Sequence, residues 1–436
     1  MNESLHSRLK WMPLDNAAKI YPAVKNKRWT ALFRLSMDLS EDIDPQILHR
    51  ALQSTLQRFP GFAFRLRRGL FWFFLEHMSD TPPIQPDVAN PCVRMNLNEN
   101  KGFMFRVRYH NNNIALEIFH VLTDGMGGLC FLRTLVAEYL RIRYNADIPR
   151  SAQILDCSQP PSPEELEDSY LKYARIHAKM RQESPAYQIK GTKDDPHYMN
   201  ITTGVLDASA VAARAKSYSV SVNVFLTAVL LLAVYKHQQQ QPNRHNRKLP
   251  VRINVPVNLR QLYPTKTLRN FASYVNPGID PTLGSYTLEE TVEVVKHFMA
   301  METTEKKLNA KFSSNVNLEQ LRAMRFIPLF LKKPTMSLAF NIMGEKAYSC
   351  CISNLGNVVL PPEMSQYITR LDFMLGSLKH TNVTSACVSY NNKMYITFTR
   401  KIIESTIEKN FFTDLVKMGF HVTIESNQRD RHVILR

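Results

Sequence analysis

His120-Val121-Leu122-Thr123-Asp124-Gly125 marks the point where a strand pattern gives way to a helix pattern, and the chain can be read outward from it. Upstream, residues 103–110 and 114–119 are joined by Asn111-Asn112-Asn113, side chains that tolerate left-handed backbone. A β-hairpin ending at His120 is therefore predicted. Downstream, after a short turn, Leu132, Leu135, Val136 and Tyr139 recur at helical spacing within residues 129–144. A histidine at the end of a rigid strand can be aimed into a cleft, and an ordinary pKa of about 6.5 leaves its neutral ring available as a base. Asp124 is close by through the turn, where it either orients His120 or turns away to bind a cation. Gly125, Gly127 and Gly128 permit tight or left-handed backbone and could expose amide N–H groups to a developing oxyanion. Taken alone, the same six residues also describe a surface histidine beside an aspartate-capped helix.

Elsewhere, residues 30–39 alternate, with Ala31, Phe33, Leu35, Met37 and Leu39 on one face of a strand. Asp44-Pro45 then opens a helix that Phe59-Pro60-Gly61 stops. From 151 to 197 the composition shifts to Pro160-Pro161, Pro163, a charged helix and a Gly-Thr-Lys-Asp-Asp-Pro run at 191–196, which reads as a surface linker. The second half opens with an apolar helix capped near Ser221. It continues with a strand at 251–257, one long helix at 288–309 and an alternating strand at 393–401. Strands and helices mix in both halves, so the expected class is α/β with mixed sheets. The expected division is an N-terminal lobe at 1–160, a linker at 161–198 and a C-terminal lobe at 199–436. Part of 350–400 is a candidate to cross over to the first lobe.

The 436 residues carry 55 Lys and Arg against 38 Asp and Glu, a formal charge of +17 that favours an anionic partner. The charge is scattered. Its densest spots, Arg65 with Arg67 and Arg68, and Lys332 with Lys333, lack the aromatic interleaving of a nucleic-acid binder, and no nucleic-acid partner is expected. The six cysteines form no C-x-x-C pair, which argues against a zinc ribbon or a disulfide framework and fits a reducing cytoplasm. The longest apolar run, residues 222–235, is too short to span a bilayer and reads as a buried core helix, so no stable membrane insertion is expected. There is no G-x-S-x-G, Walker A, G-x-G-x-x-G or H-E-x-x-H. Cys130, on an apolar helix face, reads as core packing rather than a nucleophile.

Around His120-x-x-x-Asp124-Gly125 the chain resembles the coenzyme A-dependent acyltransferase superfamily. That superfamily includes chloramphenicol acetyltransferase, the condensation domains of peptide synthetases and the plant BAHD enzymes. More narrowly, it resembles the bacterial alcohol acetyltransferases. Leu14-Asp15-Asn16-Ala17-Ala18-Lys19-Ile20-Tyr21-Pro22, Arg58-Phe59-Pro60-Gly61, Asn254-Val255-Pro256-Val257-Asn258-Leu259-Arg260 and Ser353-Asn354-Leu355-Gly356 support it in the expected order.

The resemblance implies two chloramphenicol acetyltransferase-like lobes with a tunnel between them and the histidine at the meeting point. It implies acetyl-CoA or another acyl-CoA as co-substrate, no metal, and an alcohol or, as second choice, an amine as acceptor. His120 would be the base and Asp124 a structural residue paired with Arg260. Gly125 and its neighbours, or Asn354, would stabilise the oxyanion. An acyl carrier protein is the alternative donor, and a non-catalytic binding protein on the same fold is the reading from another class. Two departures matter: Phe119 stands where condensation domains have a second histidine, and the plant D-F-G-W-G motif is absent. No cofactor-binding residue is therefore carried over.

Overall fold

The computed structural model describes residues 10–24, 30–176, 183–195, 197–320, 326–332 and 345–430. Its first half supplies β1 (Leu32–Leu39), α1 (Pro45–Arg58), β2 (Ile84–Pro86), β3 (Phe105–His110), β4 (Asn113–Phe119) and α2 (Gly125–Tyr144). The second half supplies β5 (Asn200–Asp207), α3 (Val222–Gln239), β6 (Val251–Asn258), β7 (Ala272–Val275), α4 (Leu288–Glu302), α5 (Glu305–Gln320) and β8 (Cys350–Asn357). It ends with β9 (Ile368–Leu375), β10 (Val383–Tyr390), β11 (Lys393–Arg400), α6 (Thr406–Lys417) and β12 (Thr423–Ser426).

Two mixed sheets organise these elements. One runs β9-β1-β4-β3-β2 and the other β7-β6-β8-β10-β11-β5-β12. The hairpin forms as its asparagines require: Asn111 takes a φ of 47°, and β3 and β4 pair antiparallel with His110 opposite Asn113. Asp44 caps α1 by accepting from the N–H groups of Gln46 at 2.8 Å and Ile47 at 3.0 Å. The helix buries Leu48, Ala51 and Leu52 in the first core. Strand β9 comes from the C-terminal half yet pairs antiparallel with β1, from Ile368 opposite Leu39 to Leu375 opposite Phe33. The last third of the chain thus closes one edge of the first sheet.

The second core surrounds α3, whose residues from Val224 to Tyr235 are buried on every side. No single helix among the described residues is long and apolar enough to cross a membrane. Three expectations need correction. The helix at 288–309 is two helices, the first ending at Glu302, where Thr303 caps it with its N–H on the Met299 carbonyl at 3.0 Å, and the second starting at Glu305. Helix α2 starts at Gly125 rather than after a turn, for the reason given below. The expected surface linker is packed: Tyr170, Tyr173, Tyr187 and Ile189 lie in the second core, and Glu165 takes a two-pronged bond from Arg58 of α1 at 2.5 and 2.7 Å. Residues 177–182 and Pro196 of that stretch lie outside the described residues.

Candidate active site

His120 follows the last residue of β4, held by its own N–H to the Ala31 carbonyl at 2.9 Å. Tyr21 stacks on its ring at 4.9 Å, and Phe33 meets the ring edge-on at 5.2 Å. The ring atom Nδ1 faces Asn270 Oδ1 at 2.9 Å. Asn270, just before β7, is 2% exposed, and its Nδ2 donates to Asp15 Oδ2 and to the His120 carbonyl, both at 3.1 Å. A main-chain carbonyl only accepts, so the amide can sit in one orientation, with Oδ1 toward the ring. Nδ1 therefore carries the hydrogen and Nε2 carries the lone pair. Asp15 is itself fixed by the N–H of Ala18 at 2.7 Å and lies 3.6 Å from Arg269 Nε. Burial raises its carboxyl above the ordinary range, with Arg269 and Asn270 opposing.

Among the described residues, no hydrogen bond joins Asp124 to the imidazole; the carboxylate turns the other way. Its Oδ1 accepts from the N–H groups of Met126 and Gly127 at 3.2 Å, which caps α2 and starts that helix at Gly125. Its Oδ2 accepts from Arg260 Nη1 at 2.7 Å and from the Phe271 N–H at 2.8 Å. Burial alone would raise this carboxyl, but Arg260 and the Phe271 and Gly127 amides outweigh burial and hold it below its ordinary value. Arg260 spends its other donors on the carbonyls of Thr267 at 3.0 Å and Arg269 at 2.5 Å. One ion pair thus ties the first lobe to the loop that carries Asn270.

The glycines of α2 are there for close approach, not for left-handed backbone. A Cβ on Gly125 would lie 2.9 Å from the Leu355 side chain, and one on Gly127 would lie 2.1 Å from Thr123 Oγ1 and 2.4 Å from the Leu268 carbonyl. The amides of Gly127 and Gly128 are already engaged by Asp124. Helix propensity alone would make Gly127→Ala stabilising by about 1 kcal/mol. The clash with backbone reverses the sign, and we expect a net loss of about 1–2 kcal/mol in denaturant unfolding, with reduced activity as the Asn270 loop is pushed away. Asn354 lies within β8, next to the Leu355 that approaches Gly125, and its Oδ1 accepts from the Gly356 N–H at 2.7 Å. No hydrogen bond among the described residues joins it to His120.

Burial lowers the His120 pKa from its ordinary value, against the opposing pull of the Asp124 charge and the Asn270 bond. The ring is neutral and able to take up a proton only above this lowered value, so a reaction that used it as a base would fall off as pH drops through it. The acid limb of kcat/KM is therefore expected below about pH 6.5, and replacing Asn270 with leucine, which removes a contact favouring the imidazolium, moves that limb lower still. Cys130 is buried, and burial pushes its thiol up to about 12, which fits packing rather than nucleophilic chemistry.

Of the residues singled out in the sequence, His120, Asp124, Gly125 and Arg260 converge. Asn270, Asp15 and Tyr21 were not singled out. Asp15 and Tyr21 stand in the Leu14–Pro22 segment that supported the resemblance, whereas Asn270 lies in no local pattern at all. Neither a protein-family model nor a curated protein matches the sequence. The likeness lies in the fold. Polyketide synthase associated protein 5 from Mycobacterium tuberculosis superposes with a TM-score of 0.57 at 13% identity, over 93% of this chain and 96% of that one. The trichothecene 15-O-acetyltransferase of Fusarium sporotrichioides gives 0.59 at 12% identity, over 93% and 94%. The chain has the two-lobed fold of the condensation-type acyltransferases. A starter condensation domain of rhizomide synthetase, solved in complex with C8-CoA, superposes at 0.55 with 11% identity, over 92% and 91%. On this condensation-type fold His120 sits where one lobe meets the other, and the residue before it, Phe119, is 2% exposed and part of the first core.

Proposed function

We propose that this protein is an acyltransferase that moves an acetyl or other short acyl group from acyl-CoA to an acceptor hydroxyl, with His120 as general base and no covalent enzyme intermediate. The observation that carries the reading is the fixed Asn270 amide, which leaves the lone pair on His120 Nε2. In the proposed step Nε2 takes the hydroxyl proton while the acceptor oxygen attacks the thioester carbonyl. The tetrahedral intermediate then collapses, the carbon–sulfur bond breaks, and Nε2–H returns the proton to the leaving thiolate. Asn270 Oδ1 accepts from Nδ1–H throughout and favours the transient imidazolium. The Asp124–Arg260 pair keeps the two lobes in register. The Gly125 N–H and Asn354 Nδ2 are the proposed oxyanion donors.

The polyketide- and peptide-synthetase-associated neighbours support a second donor, the phosphopantetheine arm of an acyl carrier protein, which presents the same thioester. The test is to incubate the protein with acetyl-CoA, or with an acetylated carrier protein, and a panel of simple alcohols, sugars and amines, and to analyse products by mass spectrometry. Acetylated acceptor from acetyl-CoA supports the reading as written. Product from the carrier protein alone would replace the donor, and no acylated product from either would overturn the assignment.

A further inference from the structure

We propose that the hairpin tip at 69–72 and the adjoining segment at 326–332 form a docking patch for an anionic phospholipid bilayer. The two segments are remote in sequence and joined in space. The Leu329 N–H donates to the Leu70 carbonyl at 2.8 Å, Lys332 Nζ donates to the Phe71 carbonyl at 3.0 Å, and the Phe71 ring meets Phe326 edge-on at 6.5 Å. Large apolar side chains stand in water here: Leu70 is 68% exposed, Phe71 41%, Phe326 72% and Phe330 60%. Four such side chains in one place are a patch, not the scatter ordinary on a folded surface.

The charge beside the patch identifies the occupant. Arg67 and Arg68 are exposed on the strand that enters the hairpin, and residues 64–77 hold three arginines against one glutamate, Glu76. Lys332 is buried at 3% exposure, bonded to the Phe71 carbonyl and seated over the Trp72 ring, so the exposed charge at the tip is that of Arg67 and Arg68. Exposed arginine thus stands beside the apolar tip. Apolar tips with exposed arginine at their edges partition into the headgroup and upper acyl region of a bilayer, and anionic headgroups add electrostatic attraction for a chain of +17. A second copy of the chain fits worse, because a two-fold contact would set Arg67 and Arg68 against themselves.

The patch is also wired to the catalytic region. The second strand of the hairpin, Phe73–His77, pairs with Trp11–Pro13, which leads directly into Asp15. Glu319, near the end of α5, takes bonds from Asn16 and Lys19 in the same stretch that stacks Tyr21 on His120. A bilayer on this patch therefore meets the side of the molecule that supports His120. The docking does not depend on the acyl-transfer reading.

The test is co-sedimentation of the full chain with vesicles of phosphatidylcholine alone and of an equal mixture with phosphatidylglycerol, at low and high salt. Wild type is expected to sediment with the anionic vesicles and to lose binding as salt rises. The double variant Leu70→Ser, Phe330→Ser is expected to bind about tenfold more weakly or worse, and Arg68→Glu to lose the preference for anionic lipid. Both positions of the double variant are exposed, so circular dichroism and thermal unfolding should match wild type. Absence of wild-type binding, or equal binding by the double variant, would overturn the proposal. A wild-type dimer that the double variant turns into a monomer in sedimentation velocity would reassign the patch to self-association.

Discussion

Replacing His120 with alanine is expected to lower kcat/KM for acyl transfer by about 10²–10⁴-fold, the usual worth of a positioned general base, while the fold survives. Two features make the separation clean. The histidine is half-buried at a strand end rather than central to either core, and its loss costs Asn270 one hydrogen bond, roughly 1 kcal/mol. Its main-chain bond to Ala31 is kept by alanine. Parallel measurement of turnover and of urea unfolding checks both halves. A variant that keeps most of its turnover contradicts the role given to His120.

Asp124→Asn is expected to do the opposite, acting on assembly first. The carboxylate receives four hydrogen bonds, two from the start of α2, one from Arg260 and one from Phe271. An amide keeps one oxygen, so the Nδ2 end must face either the helix amides or the Arg260–Phe271 pair, donor against donor. The Arg260 guanidinium, mostly buried at 16% side-chain exposure, is then left without its counter-charge. Breaking such a pair costs about 3 kcal/mol, far more than the pair adds over an apolar replacement, so unfolding in urea should shift by about that amount and activity should fall with it. Unchanged stability would mean that the ion pair does not hold the lobes together.

The fold was legible where local physics decides. The Asn111–Asn113 turn, the Asp44-Pro45 cap and the strand alternation at 30–39 act through neighbours in sequence, and each produced the element it predicts. The sequence misled where distant contacts decide. Gly125, Gly127 and Gly128 suggest a turn by composition, but what requires them is the approach of Leu355, Leu268 and Phe33 from elsewhere in the chain. The break at Thr303 competes with a helical pattern that continues through it. The site divides in the same way. His120 and Asp124 share one motif, and Arg260 stands in a recognisable segment. Asn270 is an ordinary loop residue until the fold brings it 2.9 Å from a ring 150 positions away, and Asp15 acts only through it. Residues of that kind are set by tertiary structure and leave no local mark.

The most direct test of the account is the tautomer of His120 in the resting protein, read by ¹⁵N NMR of histidine-labelled protein near neutral pH. The chain has 13 histidines, so the His120 signals are assigned by difference from the His120→Ala spectrum. The account predicts a neutral ring with hydrogen on Nδ1 and a bare Nε2, and a mixed tautomer once Asn270 is replaced by leucine. Hydrogen on Nε2 in the wild-type ring, or a spectrum indifferent to Asn270, would contradict it.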